Sequence, residues 1–200
     1  MGIFAADCPG AADQPLLIDS TPVPRASSRE TVKRSVLAEA ADYGHCAARS
    51  RYFPGFRLHL LAAPGGTPRA LELAHPIRDE REVGLELLER CARRGGELLV
   101  RDKGYAGRGF AVGAADLGVA VARPPRKDEP GPGPHLSTIR QRIESIFWTC
   151  KDLLTLERHG ARTTAGLRER FLARFLCLAA CISLNHRLGR PSRALVDYCA

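Results

Sequence analysis

Three carboxylates stand where an acid needs a reason. Asp19 closes the apolar run PLLID that starts at Pro15, and Asp102 closes the run ELLVRD that starts at Glu97. An ionised side chain leaving a buried strand costs desolvation free energy unless a cation compensates it. On neighbouring strands the two would share one cation outside the carboxyl edge of a sheet, where ligands of open α/β sheets gather. The plainer alternative is two solvated strand ends. Glu144 lies in a long helical pattern. With Arg140 at zero and about 100° per residue, Glu144 falls at about 40° and Lys151 at about 20°. Ile139, Ile143, Ile146, Phe147, Cys150, Leu153 and Leu154 fall between about 220° and about 340° on the same wheel. The Arg140–Glu144–Lys151 stripe therefore borders the core-facing side, where a helix can offer a carboxylate to a cleft. Taken alone, the helix would as readily place Arg140 and Glu144 in a surface i,i+4 ion pair.

The elements that must position these acids follow from the apolar pattern. Residues 15–19 read as a buried strand that ends at the turn-forming STPVP of 20–24. Between Arg25 and Arg57 stand six arginines and Lys33, interleaved with Tyr43, Tyr52 and Phe53, which reads as a charged loop, either a solvated insertion or a DNA-facing surface. RLHLLAA at 57–63 and RALELA at 69–74, joined by PGGTP, form a hairpin. Asp79 caps a helix carrying Val83, Leu87, Leu88 and Cys91, which ends at Gly95-Gly96. The strand to Asp102 comes next, then a helix over about 107–117, a stop at Gly118 and a strand at 119–122. A Pro/Gly-rich loop at 123–134 leads to helices over about 135–157 and about 163–188. The order predicts a mixed α/β fold of about five strands flanked by helices. Residues 1–14 read as a disordered lead-in, 15–190 as the domain and 191–200 as a tail.

Composition narrows the partners. The 200 residues carry 30 basic and 22 acidic side chains, a net charge of +8 that favours an anionic partner, nucleic acid first. Only Lys33, Lys103, Lys127 and Lys151 are lysines, so part of this arginine-rich basicity reflects GC-rich coding. The seven cysteines form no CxxC pair and read as reduced, mostly buried residues, although Cys177, Cys181 and His186 also sketch a metal site. No apolar stretch is long enough for a membrane span and no signal peptide is visible, so a cytoplasmic protein is expected. There is no GKS/GKT loop and no G-x-S-x-G elbow, and the glycines at 104, 107 and 109 lack dinucleotide-loop spacing.

The same residues carry a resemblance. IDSTPV around Asp19, DKGY at 102–105, Arg140-x3-Glu144-x6-Lys151 and LERHGART at 156–163 together resemble the catalytic domain of a DDE-type bacterial insertion-sequence transposase. The separations are 102 − 19 = 83 and 144 − 102 = 42. The resemblance implies an RNase H-like mixed sheet over about 15–190, with the first Asp ending strand one, the second ending strand four and the Glu on a later helix. It implies that Asp19, Asp102 and Glu144 converge to hold two Mg²⁺ ions, or Mn²⁺, for water-driven strand cleavage and 3′-hydroxyl strand transfer. By the same resemblance Arg140 and Lys151 would contact phosphate, and Lys103 and Tyr105 would hold the terminal nucleotides. The implied partner is double-stranded DNA, as element ends and as target, in the bacterial cytoplasm at the nucleoid, with a homodimer as a compatible assembly. Two departures stand out. Ser137 occupies the position where the family signature has Tyr. Only 18 residues precede Asp19, where such transposases usually carry a helical DNA-binding segment, so N-terminal truncation is expected. The alternatives are a truncated, inactive remnant that only binds DNA or interferes with transposition and, more distantly, a cellular nuclease of the same fold.

Overall fold

The computed structural model describes residues 8, 10–25, 36–38, 41–46, 51–91, 96–122 and 136–198, excluding the side chains of Lys103, Ser137 and Arg140 among others. In chain order the elements are β1 (Leu16–Pro24), β2 (Asp42–Cys46), β3 (Arg51–Ala62), β4 (Pro68–Ala74), α1 (Glu80–Cys91), β5 (Glu97–Arg101), α2 (Arg108–Asp116), β6 (Val119–Ala122), α3 (Ser137–Asp152) and α4 (Thr164–Arg187). The strands form one mixed sheet in the order β2-β3-β1-β5-β6, with β4 also paired to β3. β1 runs antiparallel to β3 and parallel to β5, which in turn runs parallel to β6. This is a mixed α/β architecture of RNase H-like character.

Both faces of the sheet are covered, which is why its central strands read as continuous apolar runs. Alternate residues of a strand serve opposite faces. Leu17, Leu60 and Val100 pack against Ile146, Phe147, Phe171 and Phe175 of α3 and α4. Leu16, Ile18, Leu61 and Leu99 pack against Val83, Leu87, Phe110 and Ala114 of α1 and α2. The starts of α1 and α4 are capped by side chains. The Asp79 carboxylate accepts the Arg81 N–H at 2.8 Å, and the Thr163 hydroxyl accepts the Gly166 N–H at 3.1 Å.

The structure departs from the sequence reading in four places. The stretch read as a charged loop contains β2 and the first half of β3, whose residues 51–55 pair with 42–46, so the sheet has six strands. The second departure is β1, which continues through Pro22 and Pro24. Its pairing with β5 stops at Ile18, and the Arg25 N–H bonds the Pro54 carbonyl on the β3 side, so the alternating prolines turn their missing N–H toward the open edge. The third is α3, which stops at Asp152 because Thr155 takes a positive φ of 51° and the Leu156 N–H returns to the Cys150 carbonyl. Finally, described residues of both terminal stretches pack onto the fold: the Cys8 thiol donates to the Ala179 carbonyl, Leu195 is fully buried, and the Tyr198 hydroxyl donates to Asn185 Oδ1 at 2.8 Å. Cys8, Cys91, Cys150, Cys177 and Cys181 form no disulfide among the described residues, where no helix is long and apolar enough to cross a membrane.

Candidate active site

Asp19 shares its sheet face with Leu17, and Asp102, just past β5, shares the face of Val100. Both therefore look toward α3. There Leu17, Ile18, Val100, Arg101 and Ile143 wall a cleft that Asp19, Asp102 and Glu144 border. Its volume, about 10 Å³, is the space of roughly one water molecule or one small ion. The wall is apolar except for Arg101, whose Nη1 donates to the Asp102 carbonyl, and the three rim groups are all acids, so the cleft offers carboxylate oxygens to a cation.

Each acid is placed by its element. β5 ends while β1 continues, which leaves the Ser20 N–H on an open edge; the Asp19 carboxylate accepts it at 2.7 Å and is thereby turned toward the Asp102 side. Asp102 is fixed by the tight turn that follows, in which the Tyr105 N–H bonds the Asp102 carbonyl. Glu144 is exposed on α3 and makes no hydrogen bond or ion pair among the described residues, while its neighbour Ile143 anchors the helix in the core.

Directly behind the cleft, on the opposite face, lies a polar cluster that sequence reasoning missed. His59 pairs with Ser20 across the β1–β3 ladder, and its Nδ1 lies 2.8 Å from the Tyr105 hydroxyl. Both side chains are fully buried, and His59 Nε2 has no hydrogen-bond partner among the described residues. Burial, and after it the charges of Arg57 and Arg78, hold the imidazole down to about 3, so it is neutral. Burial, then the negative charge of Asp19, with a smaller push from Asp102, raises the Tyr105 phenol well above its usual range. Arg57 pairs with Glu80 at the start of α1 and donates to the His45 carbonyl, and the Ser20 hydroxyl bonds Glu80. A Cβ on Gly104 would run into the Glu80 carboxylate, so the glycine of DKGY lets the turn seat against α1. Only the strand register brings these residues together, and no local spacing announces it.

The remaining expected site residues fall differently. Tyr105 is a core residue tied to His59 rather than a surface one. Lys151 pairs with Glu157 of LERHGART at 2.9 Å. The side chains of Lys103 and Arg140 lie outside the described residues, as does most of the basic stretch 26–35 and 47–50. Among the described residues no three His, Cys, Asp or Glu side chains are gathered closely enough to hold a metal ion, the cysteine–histidine group near 177–186 included. Asp19, Asp102 and Glu144 share a cleft without forming one ligand set. Like charges at that separation repel, and Glu144 has the side-chain freedom to close on a cation.

No curated protein sequence matches the chain. The family model described as the transposase DDE domain matches residues 10–180. Its span runs from the turn ahead of β1 into α4 and takes in every element that borders the cleft, and the chain belongs to the transposase DDE domain family.

Proposed function

We propose that the chain cleaves DNA strands and joins them to a target, moving an insertion sequence, at the cleft bordered by Asp19, Asp102 and Glu144. Transposases of this family act on DNA and generally use divalent metal ions. The observation that carries the assignment is that acids from β1, the end of β5 and α3, remote in sequence, border one ion-sized cleft. Three hard oxygen donors with no sulfur or imidazole beside them fit Mg²⁺ or Mn²⁺. When bound, two such ions supply activation of a water or 3′-hydroxyl and charge neutralisation at the leaving oxygen of an in-line phosphoryl transfer.

The chain's own residues do the placing. The Ser20 N–H fixes the Asp19 carboxylate, the turn at 103–105 fixes the Asp102 backbone, and Glu144, unpaired among the described residues, closes from the helix side. Leu17, Val100 and Ile143 keep bulk water from the floor of the cleft, which strengthens every charge interaction at its mouth. Arg140 and Lys151, on the same helix stripe as Glu144, serve as phosphate-positioning charges, and Lys151 does so by sharing itself with Glu157. Lys103, which follows Asp102 directly in sequence, is the candidate to hold the terminal nucleotides.

A supercoiled plasmid incubated with the purified chain and Mn²⁺ tests the assignment. Nicking is expected, and Asp19→Ala, Asp102→Asn and Glu144→Ala should each lower its rate by more than the roughly 10- to 100-fold that loss of a merely supporting contact costs. Nicking that survives in all three variants would sink the reading.

A further inference from the structure

A second concavity lies beside α3, on the side away from Glu144. Pro64 and Gly65 of the β3–β4 turn, Arg142 of α3, and Pro191, Ser192 and Arg193 after α4 line an open groove of about 450 Å³. No acid lines it, and neither arginine pairs with a carboxylate among the described residues. Arg193 is preset. Its Nη1 donates to the Ser145 hydroxyl, and its aliphatic stem lies against Gly66, where a Cβ would come within 2.8 Å of Cδ. Arg142 lines the same groove, so two guanidinium groups face one concavity. Such an arrangement is unfavourable until an anion enters between them. Guanidinium forks match phosphate oxygens, and turn and proline backbone gives the groove stiff walls.

Position identifies the anion's source. Asp19 faces Leu60 in the β1–β3 ladder, and Pro64 lies four residues further along. At about 3.3 Å per residue that is roughly 13 Å, or about four steps of duplex DNA at 3.4 Å each. We propose that this groove holds the DNA phosphate backbone about four base pairs from the carboxylate cleft, with Arg142 and Arg193 as its two contacts. The inference rests on the DNA-acting reading above and adds a site that sets where along the duplex the cleft falls.

The test is duplex binding by the full chain in EDTA, where no nicking occurs, read by fluorescence anisotropy on a labelled duplex of about 30 base pairs between about 50 and 200 mM salt. Arg142→Ala/Arg193→Ala should lower the slope of log K against log salt by about 2. The charge-matched Arg81→Ala/Arg108→Ala, on the α1–α2 face, should leave it unchanged. If loss of the Ser145 bond unfolds the double variant, Arg142→Ala alone should lower the slope by about 1, and Arg193→Lys should keep it. Asp102→Asn should keep the slope while losing nicking, so a failed nicking assay and a failed groove give different results. A wild-type slope in the folded double variant, or in Arg142→Ala, overturns the proposal.

Discussion

His59 is the side chain whose charge state the fold controls most tightly. Unfolded, it takes a proton near its ordinary value of about 6.5; folded, burial and then Arg57 and Arg78 hold it down to about 3. Between those values the unfolded chain binds more protons, so stability is full above about 6.5 and drains as pH falls toward about 3. His159 acts with the same sign: burial lowers it first, while its Nε2 donates to the Pro24 carbonyl and its Nδ1 accepts the Ala161 N–H. The drain has a ceiling of about 1.4 kcal/mol per pH unit for each group. Urea midpoints at neutral pH and near pH 5 should fall for the wild type and fall measurably less for His59→Asn; equal falls would show that His59 does not titrate across unfolding. Asp19 and Asp102 were legible as acids ending apolar runs, and Glu144 as an acid bordering an apolar helix face. His59 and Tyr105 were not legible, because a buried polar pair reads like any histidine and tyrosine until the β1–β3 register sets Ser20 opposite His59.

At the scale of elements, α1 is shaped to seat the turn that carries Asp102. A Cβ on Gly84 would lie 2.8 Å from the Tyr105 ring and 2.9 Å from that of Phe110. In an exposed helix Gly→Ala gains about 1 kcal/mol, whereas overpacking a close-fitted core costs about 1 to 3 kcal/mol. Tyr105 cannot yield, since its hydroxyl is held by His59, so the clash wins. Gly84→Ala should lower unfolding stability by about 1 kcal/mol and slow nicking by tilting the 103–105 turn; a variant more stable than wild type would show that α1 shifts freely. The start of α1 was legible because Asp79 is a cap with a local mechanism. The end of α3 was not, since it depends on Thr155 in a left-handed conformation that β-branched residues seldom take, with Arg174 donating to the Leu154 carbonyl and the Thr155 hydroxyl. Nor was β2, whose only strand partner is the first half of β3 inside an arginine-rich stretch.

For the whole molecule the cleft makes a thermodynamic demand. Three acids border one small cleft whose wall also holds Arg101, while the chain as a whole carries a net charge of +8, so the repulsion among the acids is a local cost that long-range charge does not relieve through water at physiological salt. A cation that binds only the folded chain removes that cost by mass action. At about 100 times its dissociation constant it adds about 2.7 kcal/mol, which for a chain of this size raises the melting temperature by roughly 5 to 10 °C. Mn²⁺ or Mg²⁺ should therefore raise the wild-type midpoint by that order, and Asp102→Asn, which keeps shape and removes one charge, should remove most of the rise. Equal metal-induced shifts in wild type and variant would place the ion elsewhere on the surface.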